Sequence, residues 1–199
     1  ELYVGLNVDI PLQQRVAGGR AQVAAANLQR LKWERRGTED RVAAELPEPP
    51  PMDETRLARA IEYEMPPLDR AGYTPDEVFF TLCDRLFAEL ETVEKPVPAQ
   101  AALANVRTAD ETRIATMVAD LMADAAPVES IAEYAYAAAA LQLHFARAAS
   151  VLPERELKPV GDGACPACGG PPVASVIVGW PQAGGSRFCS CALCGHLPC

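Results

Sequence analysis

The sequence has little of the chemistry that most enzymes need. It contains two histidines, His144 and His196, so a nucleophile beside an imidazole base has few ways to form. It has no G-x-S-x-G elbow and no phosphate-binding loop, and Gly161 and Gly163 lack the third glycine of a dinucleotide fingerprint. The sequence therefore predicts no catalytic residues and a protein that is not an enzyme.

Long apolar runs and an overall basic charge are also missing. The apolar run that ends at Leu141 is alanine-rich and far shorter than the roughly 20 residues that span a bilayer. The net charge is −9, and only residues 11–41 are basic, which we interpret as a solvated helix face. Neither a membrane nor a nucleic acid is expected as a partner, and residues 1–50 receive no role.

Most of the chain has the apolar spacing of three and four residues that is typical of packed helices. The helices are predicted from Leu12 to Arg36, from Asp53 to Pro66, from a Thr74 cap through Leu90, from Ala99 to Val106, from a Thr108 cap through Met122, and from Ile131 to Val151. The last is apolar on nearly all sides, which predicts the centre of a bundle. Cys83 is expected to be a small buried residue and His144 a hydrogen-bonded core or groove residue, with a functional role for His144 left open.

Cysteines in two C-x-x-C pairs are the most specific pattern in the chain. Each pair allows one tight turn to direct two sulfurs at a single ion, and the four ligands expected are Cys165, Cys168, Cys191 and Cys194. The glycine after each pair, Gly169 or Gly195, can adopt the positive φ that turns backbone N–H groups toward sulfur. Four thiolates suit zinc or a single rubredoxin-type iron, whereas a disulfide pair or free cysteines are the alternatives.

The residues between the two pairs predict a β-hairpin. Residues 173–178 are rich in β-branched side chains, residues 187–191 are the expected partner strand, and the glycines and proline of residues 180–186 are expected to form the turn. Cys189 is predicted to point away from the metal and not to bind it. The resulting fold class is mainly α: a helical, bundle-like domain over residues 1–152, a linker over 153–163, and a rubredoxin-like or zinc-ribbon module over 164–199.

Residues 165–174 read Cys-Pro-Ala-Cys-Gly-Gly-Pro-Pro-Val-Ala. The second C-x-x-C pair follows this string, and a helix through Leu141, His144 and Arg147 precedes it. This combination closely resembles the formate dehydrogenase accessory protein family (FdhE). The resemblance covers residues 53–197. It implies iron bound by rubredoxin-like modules on a helical domain, the cytoplasm as location, and the catalytic subunit of a molybdenum formate dehydrogenase as client. The family continues with a second pair of C-x-x-C knuckles, so Cys199 is a candidate for a second metal site.

Three functions are considered. The first, which the resemblance implies, is an accessory or assembly factor, chaperone-like or redox-active, that binds iron and is needed for the activity of a formate dehydrogenase. The second is a zinc-ribbon interaction module that serves in the maturation of another metalloenzyme, such as a hydrogenase. The third is an oxidoreductase that uses free thiols directly. The oligomeric state stays open, with a homo-oligomer among the expected assemblies.

Overall fold

A computed structural model describes residues 37, 41–160, 163–177 and 185–196. Within this part of the chain the helices are α1 (Glu54–Glu62), α2 (Glu77–Glu91), α3 (Val97–Arg107), α4 (Glu111–Met122) and α5 (Ile131–Ser150). Residues 41–45 are helical as well, and single 3₁₀ turns at Val128–Ser130 and Glu154–Glu156 flank α5. The strands β1 (Pro172–Ile177) and β2 (Arg187–Cys191) form one antiparallel sheet. The predicted mainly α fold with a small β module is confirmed.

Several predictions concern residues outside the described part. These are the helix from Leu12 to Arg36, most of the basic segment at residues 11–41, most of the hairpin turn, and Cys199.

Helix α5 lies at the centre of the helical body and packs against α2, α3 and α4. Its buried residues include Tyr134, Leu141 and Phe145, with alanines such as Ala137 and Ala140 between them. Because alanine is small, neighbouring helices approach α5 closely on several sides. The central position predicted for this helix is confirmed.

Helix α2 contributes one continuous apolar face to the core. The six buried residues of α2 are those that the spacing predicts: Phe79, Leu82, Cys83, Leu86, Phe87 and Leu90. Cys83 is free and buried, and burial raises the pKa of its thiol to about 12, with the charge of Asp84 adding to the effect. Cys83 is thus a protonated core residue, as expected.

The helix starts differ from the predictions at two of three positions. Asp53 caps α1 as predicted, accepting a 2.8 Å bond from Arg56 N. Helix α2 is capped by Asp76 instead of Thr74, and α4 by Asp110 instead of Thr108, each aspartate accepting from the backbone N–H three residues later. A carboxylate also stabilises the positive end of the helix dipole, which a hydroxyl does not, so aspartate is favoured where both residues are near the start.

The loop between α1 and α2 is tied to two distant parts of the helical body. Arg70 Nη2 donates a 3.1 Å bond to the carbonyl of Met122, at the end of α4. The ring of Tyr73 lies 5.0 Å from that of Phe145 on α5.

No helix in the described residues has both the length and the apolar composition needed to cross a bilayer.

The core packing of α2 gives a direct test of the fold. Leu86 is fully buried in the centre of α2, so Leu86→Ala is expected to lower the free energy of unfolding by about 2–5 kcal/mol through lost burial and a cavity. Val78→Ala, in the exposed first turn of the same helix, should change it by less than about 0.5 kcal/mol. Urea unfolding followed by circular dichroism measures both, and equal effects would contradict the described core.

Candidate metal centre

Four sulfur atoms from two distant turns lie together beneath the surface. Their Sγ atoms all lie within 4.8 Å of one another, with 3.6 Å between Cys165 and Cys194 and 3.4 Å between Cys168 and Cys191. All four residues are buried. We call this group the cysteine cluster; it comprises the four cysteines of the two C-x-x-C pairs.

The geometry of the cysteine cluster fits one tetrahedrally coordinated ion. A metal–sulfur distance of about 2.3 Å places the sulfurs of a regular tetrahedron about 3.8 Å apart. The two shortest separations, 3.4 and 3.6 Å, are close to that value. They are much longer than the roughly 2.05 Å of a disulfide bond, and the six described cysteines are free. The four cysteines are therefore positioned to bind a metal ion.

The two turns that carry the sulfurs have the same backbone structure. In the first knuckle, residues 165–170, Cys165 N donates to Gly170 O at 2.9 Å; in the second, residues 191–196, Cys191 N donates to His196 O at 3.0 Å. The glycines after the two pairs have φ values of 72° and 68°. That left-handed conformation is open to glycine at little cost, as the sequence predicts.

The hairpin joins the end of the first knuckle to the start of the second. Pro172 pairs with Cys191 and Ile177 with Arg187, and the register shifts between Pro172 and Ala174. Ala192 N also donates to Pro171 O at 3.2 Å. The sheet therefore brings together the two C-x-x-C pairs, which are far apart in the sequence.

Cys189 lies outside the cysteine cluster and is exposed. The expected orientation is found, although strand alternation does not explain it, because residues two apart share a face of a regular strand. Cys191 is the last residue of β2, opposite the irregularity in β1, where the backbone enters the second knuckle. This change of direction separates the buried sulfur of Cys191 from the exposed one of Cys189.

The close approach of the four thiols lowers the pKa of two of them and raises the pKa of the other two. The pKa of Cys165 is lowered to about 7, chiefly by a hydrogen bond with the Cys168 thiol, and the pKa of Cys191 is lowered chiefly by one with Cys165. The pKa values of Cys168 and Cys194 are raised, in both cases chiefly by a hydrogen bond with Cys165. An ion that takes all four thiolates must displace the protons that remain, so binding releases protons.

The helical body holds both knuckles through their backbone carbonyls. In the first, Ala167 O accepts a 2.9 Å bond from Leu68 N, in the loop after α1. In the second, Ala192 O accepts a 2.9 Å bond from Gln142 Nε2 on α5. Periodicity and spacing gave no signal for these contacts, although the Pro-Pro-Leu turn at residues 66–68 is a recognisable sequence feature.

His144 belongs to an aromatic group on α5 and not to the cysteine cluster. Its ring lies 5.2 Å from that of Tyr73 and 5.5 Å from that of Phe79. Burial lowers the pKa of His144, while the charge of Asp76 acts in the opposite direction. The expected position in a core or groove is found, but the expected hydrogen bond is not seen within the described residues, where His144 makes aromatic contacts away from the metal centre.

Gly170 is a further residue of the centre that the sequence analysis did not identify. A Cβ atom there would lie 3.0 Å from Cys191 Sγ and 3.3 Å from Cys168 Sγ. Gly170→Ala is therefore expected to lower the affinity for zinc by tenfold or more. Losses of metal affinity of that order follow when residues around the metal ligands are mutated. Titration of the metal-free protein against a chelator measures this affinity.

Gly163→Ala, outside both knuckles, is the matched control. It adds a Cβ atom in open space at a positive φ, so it should cost about 1–2 kcal/mol of stability and leave the affinity for zinc nearly unchanged. Zinc binding by Gly170→Ala that equals the wild type would contradict the tight packing around the sulfurs.

Comparison with known families and proteins matches nearly all of the described chain. The family model for the FdhE N-terminal domain matches residues 38–162, and the model for the FdhE central domain matches residues 164–197. A protein FdhE homolog from Rhizobium meliloti (strain 1021) is 46% identical over 156 residues, covering 76% of this chain and 50% of the relative. Protein FdhE from Salmonella enteritidis PT4 (strain P125109) is 33% identical over 142 residues, covering 70% of this chain and 45% of the relative.

A solved structure shows the same architecture. The crystal structure of the FdhE protein from Pseudomonas aeruginosa superposes with a TM-score of 0.66 at 26% identity, covering 85% of this chain and 58% of that one. The chain thus spans about half the length of the curated relatives it matches. On the family models, the relatives and the shared fold together, the chain belongs to the FdhE family.

Proposed function

We propose that the chain is part of an accessory factor needed for the activity of a molybdenum formate dehydrogenase, and that it binds the catalytic subunit as client in the cytoplasm. The observation that carries the proposal is a buried four-sulfur cluster fixed to a helical body, in a member of the FdhE family. In this proposal residues 1–152 form the helical domain, 153–163 a linker and 164–199 the metal-binding module. Cys165, Cys168, Cys191 and Cys194 are the proposed ligands, and Cys199 is proposed to begin a second site.

The kind of metal site argues for assembly or electron transfer instead of hydrolysis. Catalytic zinc keeps an open position for water, whereas four protein thiolates complete a tetrahedral shell. The residues therefore fit a rubredoxin-type iron, which exchanges one electron, or a structural zinc. We propose iron as the native metal, in line with the rubredoxin-like knuckles, and no catalytic residue in this chain.

The burial of the sulfurs supports the alternative, a zinc-ribbon interaction module in the maturation of another metalloenzyme such as a hydrogenase. All four cysteines are at most 4% exposed. A metal here would therefore cross-link two turns that are separated by the 21 residues between Gly169 and Cys191. A cross-link of this kind stabilises the module with either metal.

Electrostatics favours a client with a basic surface. The chain has 27 acidic and 18 basic side chains, and exposed acidic groups lie on α1 at Glu54 and Glu62 and on α2 at Glu77. Complementary charge raises the rate of encounter between partners and helps to select among them. In a homo-oligomer, the other assembly proposed, these acidic groups would repel one another if they faced each other.

Client activation tests the proposal. A strain that lacks its own accessory factor and expresses the full-length natural protein should recover formate dehydrogenase activity, and the catalytic subunit should co-purify with the tagged factor. Cys165→Ser removes one ligand and is expected to lower activation at least tenfold, since three thiolates hold the ion much less tightly. Activity per amount of client protein is the quantity to compare.

Cys189→Ser is the matched control, because Cys189 is exposed and lies two residues from a proposed ligand. It should activate the client like the wild type. Equal activation by Cys165→Ser and the wild type would remove the metal from the mechanism, and recovery of a hydrogenase instead of the formate dehydrogenase would favour the alternative client.

A further inference from the structure

One peptide group of the second knuckle links helix α5 to a sulfur of the cysteine cluster. Its carbonyl, Ala192 O, accepts a 2.9 Å hydrogen bond from Gln142 Nε2. Its N–H, which belongs to Leu193, donates to Cys191 Sγ at 3.4 Å. Because the peptide group is planar and rigid, a bond that fixes the carbonyl also fixes the direction of the N–H.

The first knuckle has a comparable arrangement built from main chain alone. Ala167 O accepts a 2.9 Å bond from Leu68 N, and the N–H of the same peptide group belongs to Cys168. The helical body therefore holds one carbonyl in each knuckle, through a backbone N–H in the first and through a side chain in the second.

An N–H directed at a thiolate changes the properties of a metal bound there. It withdraws charge from the sulfur, and hydrogen bonds to sulfur are among the factors that set the reduction potential of thiolate-bound iron. A donor on the carbonyl side polarises the peptide group and strengthens its N–H as a donor, by about 10–30% per bond in a hydrogen-bonded chain. Gln142 is thus connected to Cys191 through two bonds in series.

We propose that Gln142 is a positioning residue of the metal centre, through which helix α5 orients the N–H of Leu193 toward Cys191 and tunes the bound metal. The inference rests on the proposed metal binding by the cysteine cluster. It assigns a role in the metal centre to a side chain of the helical body, 49 positions before Cys191 in the sequence. The metal's properties then depend on how the module is seated on that body.

Gln142→Met is the principal variant, because methionine has a similar length and no N–H donor. Gln142→Glu keeps the shape, loses the donor at neutral pH and adds a negative charge near the thiolates. Gln100→Met, at an exposed glutamine on α3 that is remote in sequence from both knuckles, is the matched control. Far-UV circular dichroism checks that each variant keeps the helical body.

Cobalt(II) chloride is the probe, added without oxygen to the metal-free protein. The wild type and Gln100→Met should bind one cobalt ion each, with the same sulfur-to-cobalt charge-transfer absorption. Gln142→Met is expected to bind cobalt about tenfold more weakly and to show a shifted charge-transfer band. Tenfold is the lower end of the loss of metal affinity caused by mutating residues that orient the ligands. Gln142→Glu should bind at least as weakly, because its charge repels the electron-rich sulfurs.

The reduction potential of bound iron is an independent measurement, and the direction of its change can be predicted. Hydrogen bonds to sulfur stabilise the reduced, more negative centre, so losing the donor should make the reduction potential more negative in Gln142→Met than in the wild type. Gln100→Met should keep the wild-type potential.

The outcomes separate the possible failures. A Gln142→Met protein with wild-type affinity, absorption and potential would overturn the role of Gln142 while leaving metal binding intact. Weaker binding with an unchanged band and potential would also overturn it, because Gln142 would then only hold the module in place. A folded wild type that binds no cobalt would overturn both this inference and the proposed metal site.

Discussion

The burial of four sulfurs around one point is the interaction on which the rest of the structure depends. Thiolates placed this close repel one another and lose hydration, so a cation must offset both effects for all four to be ionised. A two-stranded hairpin by itself is at best marginally stable in water. The module therefore combines three supports: the proposed metal, the repeated turns of the two knuckles, and backbone contacts with the helical body.

Helix α5 connects the two parts of this structure. Its alanine-rich surface lets the surrounding helices pack closely, while Gln142 on the same helix reaches the second knuckle. The loop between α1 and α2 has a similar position, since Leu68 contacts the first knuckle and Tyr73 packs against Phe145 of α5. Two routes of direct contact thus join the two knuckles to the helical body.

Features that arise from local sequence were predictable, and contacts between distant segments were not. The spacing of the C-x-x-C pairs predicts the cysteine cluster, and the apolar spacing of α2 predicts its whole buried face, because both depend on neighbours within a few residues. Thr74 and Asp76 are both good caps by residue type; Asp76 caps α2 in the structure, where its carboxylate also stabilises the positive end of the helix dipole. Gln142 looks like an ordinary helix residue in sequence, since its partner Ala192 comes from a turn that folds 50 positions later.

The most direct measurement of the central claim is X-ray absorption at the edge of the metal that co-purifies with the protein prepared without oxygen. The account predicts one ion per chain in this module, iron in native material, surrounded by four sulfur atoms at about 2.3 Å. The position of the absorption edge identifies iron or zinc in the same experiment. A first shell that contains nitrogen or oxygen in place of one or more sulfurs, or protein that carries no metal at all, would contradict the account.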